Sequence, residues 1–259
     1  PRATIAAFAG VEPKNVIFTS GGTEALNLAL TPGIESRQSK GPFGLLLAGG
    51  GEHQAVLAGH RFGASHFELL DLSPQGVLDL NSLKSALSRA RGREKRAMLA
   101  IQAANNETGV LQPVACAAEI VHEAGGFVVC DAVQAAGKAE WAAGQLRADA
   151  IALSAHKFGG PQGIGALCLS SDTFHINTPL LRGGGQERGA RAGTENVAGI
   201  AGMAAALRAA MERQAEESVT LAAWRGKLEE EIRRIAPDAV FFGAGAERLP
   251  NTSCFAVPS

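Results

Sequence analysis

What most limits the folds open to this chain is a row of short, almost wholly apolar runs set apart by helix-length or glycine-rich stretches. "NVIFTS" (15–20), "GLLLAG" (44–49), "HFELLDL" (66–72), "AMLAIQAA" (97–104), "FVVCDAV" (127–133), "AIALSAH" (150–156) and "IGALCLS" (164–170) all read as strands. Several are apolar throughout instead of alternating, which is the pattern of strands covered on both faces. Between them "GTEALNLAL", "LNSLKSALSRARGR" and "PVACAAEIVHEAGG" carry a helical pattern. The last has a proline at a first-turn position and two glycines at its end. The expectation is an α/β domain with a mostly parallel sheet flanked by helices.

After about residue 195 the character changes. Some 40 residues of alanine-rich helix formers follow, ended by Pro237. That exceeds an ordinary helix, so two helices, or one with a bend, are expected. No strict heptad favours a coiled coil. The expected organisation is a large domain over 1–194, a connecting helix or helices over 195–237, and the start of a smaller domain over 238–259. The first residues read as mid-helix without a methionine, and the last as a strand just opening. Both ends suggest a piece of a longer protein that lacks its N-terminal segment.

The chain is 46% hydrophobic and 19% charged, with a formal net charge of −1. That balance gives no pull toward nucleic acid or an anionic membrane. No run approaches the roughly 18 apolar residues of a membrane span. The cysteines at 116, 130, 168 and 254 lack metal-type spacing. They read as reduced, packed thiols of a cytoplasmic protein, and no metal site is expected.

The chemistry gathers at strand ends. In "ALSAHKFGGPQGIGAL" Lys157 closes an apolar run just before a cluster of glycines. If the strand continued through it, Ser154 and His156 would share one side and Lys157 the other. A lysine at such a mouth suits attack on a carbonyl, unless it simply snorkels to solvent. Asp131 ends a buried strand, with Gln134 three residues on. A buried carboxylate needs a partner, such as a protonated ring nitrogen, or else it serves as a helix cap. In "FTSGGTEALNLAL" the strand passes through Gly21, Gly22 and Thr23 into a helix, which is either a phosphate seat or a well-capped turn. His53 follows three glycines and could stack on a flat ring or be structural. Asn105, Asn106 and Glu107 lie just past another strand end, where a polar loop is the default reading.

In this combination the chain resembles the cysteine desulfurases, the NifS/IscS-like group of class V pyridoxal-phosphate enzymes. The resemblance rests on "FTSGGTEALNLAL", "GEHQAVL", "NNETGVLQP", "DAVQAAGK", "LSAHKFGGPQGIGAL", "GGGQERGARAGTENVAGI" and "LPNTSC", in family order along the chain. It implies the fold-type-I large domain and pyridoxal 5′-phosphate as cofactor. By the same resemblance Lys157 would bond the cofactor aldehyde, and His53 would stack on the ring and assist proton transfer. Asp131 would pair with the ring nitrogen, while Gln134 and either Asn105 or Asn106 would meet the ring hydroxyl. Gly22, Thr23, Ser154 and His156 would hold the phosphate. Thr194 would reach the phosphate of a second copy, so a homodimer is implied.

The implied reaction takes sulfur from L-cysteine, leaves alanine, and passes the sulfur through an enzyme cysteine to an acceptor protein. The family's nucleophilic cysteine lies on a small-domain loop that has no match here, and neither has the arginine that holds the substrate carboxylate. Full turnover by this stretch alone is therefore not expected, and cofactor binding should be weak where the dimer cannot form. The alternatives are a selenocysteine lyase, another class V enzyme, or a non-catalytic scaffold. A nicotinamide-binding fold lacks its G-x-G-x-x-G here, and a zinc hydrolase lacks its ligands.

Overall fold

The structure is a computed structural model that describes residues 1–36, 41–140 and 144–258. It runs from α1 (Arg2–Ala9) through β1 (Val16–Thr19) and α2 (Gly22–Ala29) to β2 (Ile34–Ser36) and β3 (Leu45–Gly49). Next come the single turn α3 (Gln54–Leu57), β4 (Phe67–Leu70), α4 (Leu80–Gly92), β5 (Ala97–Gln102), α5 (Val114–Glu123) and β6 (Phe127–Asp131). The rest comprises β7 (Ala150–Ser154), β8 (Gly165–Leu169), β9 (Phe174–Ile176), α6 (Val197–Ile235), β10 (Val240–Phe242) and β11 (Cys254–Ala256).

The seven strands marked by the sequence form one sheet in the order β1-β8-β7-β6-β5-β3-β4. From β4 to β7 all neighbours are parallel, whereas β8 runs antiparallel to both β7 and β1. The C-terminal ends at Thr19, Gly49, Gln102, Asp131 and Ser154 therefore share one edge. Crevices outside such ends are where open α/β sheets take ligands.

The apolar runs have a direct cause. In β5, Met98 and Ala100 face one buried cluster with Leu26 and Phe127. Leu99 and Ile101 face the opposite cluster with Leu83 and Val121. With helices on both sides, every position along such a strand buries apolar area, worth about 1.5–3 kcal/mol for each large side chain.

Three features differ from the sequence expectation. Strands β2 and β9, three residues each, pair apart from the main sheet and carried no run long enough to be read. The alanine-rich stretch is one continuous helix of 39 residues, not two. It is about 58 Å long at 1.5 Å per residue. Asn196 caps it by accepting from Gly199 N at 2.9 Å, and its first half buries Met203, Ala204 and Leu207. Pro113, read as a first-turn residue, stands one step earlier as the residue that precedes α5.

Near the end of α6 the buried carboxylate of Glu229 takes both arms of Arg248 at 2.8 and 3.2 Å, and the hydroxyl of Ser253. The flanking backbone pairs with the loop after β5, through Leu249 N to Gly109 O and Leu111 N to Glu247 O, both 2.8 Å. Strands β10 and β11 form their own antiparallel pair. Among the described residues no helix is long and apolar enough to cross a membrane.

Candidate active site

At the C-terminal edge of the sheet lies a cavity of about 440 Å³, within the range of small-molecule sites. Of the ten residues that the resemblance assigns to a cofactor site, counting one of the two asparagines, nine line it: Gly22, Thr23, His53, Asn106, Asp131, Gln134, Ser154, His156 and Lys157. They come from five separate connections, so the sheet assembles what the sequence scatters over 136 residues, from 22 to 157.

One end of the cavity is built for an anion. No side chain caps the first turn of α2, whose N-cap is Gly21. Its amide groups and positive dipole end are free to meet negative charge. Gly22 allows the tight fit there, because an added Cβ would lie 2.5 Å from the Val133 side chain. Ser154 Oγ lies 3.0 Å from His156 Nδ1. Desolvation, then the charges of Lys157 and Lys138, hold His156 below its ordinary pKa. Gly22, Thr23, Ser154 and His156 also border an adjoining, more open cavity with Gln162 and Gly163.

The cavity also carries a carboxylate. Asp131, the last residue of β6, is only 7% exposed. Its Oδ1 accepts from Val133 N at 2.9 Å. Burial pushes its pKa up, while that hydrogen bond and the charges of His53 and Lys157 pull against the rise. A buried carboxylate with one backbone partner has capacity left for a cationic N–H. His53 caps α3 by accepting from Ala55 N on Nδ1 at 3.0 Å. The proton of its uncharged ring therefore sits on Nε2.

Lys157 does not stand in extended chain. The strand ends at Ser154, and Ala155–Phe158 forms a 3-10 turn stopped by Gly159 in the left-handed region. The expected opposition of Lys157 to Ser154 and His156 does not arise: the turn swings all three into one cavity. Nothing before Gly159 in the sequence signals that break.

The two asparagines divide their tasks. Asn105 Oδ1 accepts from Glu107 N, Thr108 N and Thr108 Oγ1, and its Nδ2 donates to Gly51 O at 2.9 Å. It is wholly occupied with bracing its loop, while Asn106 lines the cavity. Thr194 is the residue set apart. It lines a different hollow with Ser20, Gly163 and Arg191, and Arg191 is tied to Glu24 of α2 at 3.0 Å.

Sequence reasoning passed over Gln102, Glu52 and Lys138, and read Glu107 only as part of a polar loop. Gln102 and Glu107 line the cavity. Gln102 ends β5 with its Nε2 donating to Gly51 O at 2.9 Å, and a polar residue closing an apolar strand was the available signal. Glu52 lies buried beside His53, and Lys138 donates to Gln134 Oε1 at 3.1 Å. The cysteines are not all packed: Cys130 and Cys168 are buried, Cys254 is half-buried, and Cys116 is exposed on α5 because it falls on the solvent side of that helix. Burial pushes the Cys168 thiol up to about 12 and the Cys130 thiol well above its ordinary value. Among the described residues no cysteine lines the cavity and no cluster of metal ligands forms.

The chain is similar to a cysteine desulfurase of Frankia sp. strain EuIK1, 38% identical over 97% of this chain and 61% of that protein. It is also similar to the cysteine desulfurase IscS of Ehrlichia chaffeensis, 34% identical over 99% of this chain and 62% of that one. Its fold superposes on a NifS-like protein from Rickettsia africae with a TM-score of 0.87 and 30% identity, over 100% of this chain and 69% of the other. The chain thus spans about three fifths of the length of these curated relatives. The Aminotransferase class-V family matches it over residues 1–259. With the sheet, the site edge and this match in agreement, the chain belongs to the class-V aminotransferase family.

Proposed function

We propose that this chain carries the cofactor site of a cysteine desulfurase and takes pyridoxal 5′-phosphate into the cavity at the sheet edge. The observation that carries the reading is the gathering of an amine, a buried carboxylate and an uncapped helix start around one hollow of suitable size. Their chemistry fits the cofactor group for group. When bound, pyridoxal phosphate supplies an aldehyde for an amine and a protonated ring that withdraws electrons.

The protein's residues then have distinct tasks. The first turn of α2, with Thr23, Ser154 and His156, holds the phosphate through backbone amides and short side chains. Asp131 holds the ring nitrogen in its protonated form, in a setting where the ion pair is shielded from water. Asn106 and Gln134 orient the ring through its hydroxyl. His53, with Nδ1 held by Ala55 N, would lie beside the ring and offer Nε2 for proton transfer. Lys157 would supply the amine for the cofactor aldehyde and, with His53, a group able to move the proton at the substrate Cα.

Sulfur removal also needs a thiolate to receive the atom. The pKa values of Cys130 and Cys168 suit neither for that role. Thr194, in its separate hollow, is suited to serve the phosphate of a second copy, so a homodimer belongs to the proposal, as does a protein that accepts the sulfur. We take residues 1–194 as the cofactor domain, joined by the helix of 195–237 to a smaller unit begun by 238–259.

The test is spectroscopic. Purified chain mixed with pyridoxal phosphate should develop a visible absorption band distinct from the free cofactor, and Lys157→Ala should abolish it. Absence of the band in the unsubstituted chain at every cofactor concentration would refute the reading.

A further inference from the structure

Lys138 has no task in the chemistry above, yet its surroundings are unusual. It is half-buried on the turn that follows β6, and its ammonium donates to Gln134 Oε1 at 3.1 Å. Among the described residues no carboxylate forms an ion pair with it. Burial, and then the charge of Lys157, push its pKa below the ordinary amine value. Its backbone is fixed as well. Lys138 O accepts from Gln214 Nε2 and Ser218 Oγ of α6, both at 3.4 Å. Gly137 takes a φ of +74° with its Cα side against Ala210, where an added Cβ would come within 2.9 Å.

An ammonium has only hydrogens to offer, and a glutamine amide has one oxygen and one NH2. With the amide oxygen turned to Lys138, the NH2 is the end left for the cavity that Gln134 lines. We propose that Lys138 is a positioning residue, which locks the Gln134 amide so that the cavity is offered a hydrogen-bond donor and its ligand must present an acceptor oxygen there. In pyridoxal phosphate that acceptor is the ring oxygen, so the inference rests on the function proposed above. Without Lys138 the amide is free to flip and to turn its oxygen toward another oxygen. The other charges near Lys138 are Lys157 and His156 on the cavity side. Arg225, Glu140, Glu247 and Arg248 share the groove beside α6.

The experiment uses the full chain with pyridoxal phosphate and compares the unsubstituted protein with Lys138→Met, Lys138→Arg and Gln134→Ala. Affinity is read by absorbance titration, the bound band is followed against pH, and melting of the cofactor-free proteins checks the fold. Lys138→Met is expected to bind roughly tenfold more weakly, the loss of one charge-assisted contact. Its band should change at a pH higher by about half to one unit, because the ring oxygen loses a donor and a nearby positive charge. Lys138→Arg, still able to donate, should restore both. Should the methionine variant not fold, Lys138→Leu, which also cannot donate, carries the same expectation in the same direction.

A lysine-free variant with unchanged affinity and unchanged pH response, alongside a Gln134→Ala that alters both, overturns the role of Lys138 and leaves the cofactor reading intact. No band in the unsubstituted chain overturns the cofactor reading and this inference together.

Discussion

Two buried acids lie at the cavity or beside it, and their surroundings treat them differently. Burial raises the Asp131 pKa, and the hydrogen bond from Val133 N and the charges of His53 and Lys157 offset part of that rise. Glu52 is enclosed: Oε1 accepts from Gln102 N at 3.0 Å, while Oε2 has no hydrogen-bond partner. Burial, reinforced by the nearby Asp131, raises the Glu52 pKa well above the carboxylate range. Burial thus disfavours the charged form most strongly at Glu52, while Asp131 has cationic neighbours that offset part of the same effect. A pKa raised by folding gives stability that is present below the unfolded value, about 4.3, and lost as pH rises through the folded value. Glu52→Gln keeps the shape and the acceptor for Gln102 N but cannot ionise. It should flatten the pH dependence and be increasingly the more stable protein as pH rises above about 4.3. Denaturant unfolding at acid and alkaline pH checks this; a variant less stable by the same amount at every pH would contradict it.

Among the elements, the sheet was legible because burial on both faces forces continuous apolar runs, and all seven runs found their places in it. What the sequence hid were features set by tertiary packing. The 3-10 turn at Ala155–Phe158 follows the strand with no glycine or proline between them, so the direction of Lys157 was not readable. Strands of three residues, such as β2 and β9, leave too short a pattern. The single long α6 exists because its first half packs on the domain and the Glu229–Arg248 pair anchors its far end, neither of which periodicity reveals. The candidate site was mostly legible, since its residues sit at strand ends that composition marks. The supporting groups Glu52 and Lys138 were not, since each acts on a neighbour instead of lining the cavity. The contact between the turn after β6 and α6 gives a prediction at this scale. Gly137→Ala meets both a positive φ and the side chain of Ala210, so it should cost about 1–3 kcal/mol in urea unfolding. No loss of stability would mean that α6 does not press on that turn.

At the scale of the whole molecule, the parallel strands bring one amine, one buried acid and one helix start to a common edge. The segment 247–249, tied to the long helix through Arg248 and Glu229, pairs with the backbone at Gly109 and Leu111 and so braces the loop that carries Asn106. Thr194 lies apart from that edge, in a hollow of its own. All of this turns on which amine meets the cofactor. The decisive measurement is borohydride reduction of the full chain saturated with pyridoxal phosphate, followed by digestion and peptide mass mapping. The pyridoxyl group should be found on Lys157. An unlabelled Lys157, with the label absent or carried by another lysine such as Lys138, would contradict the assignment of the site.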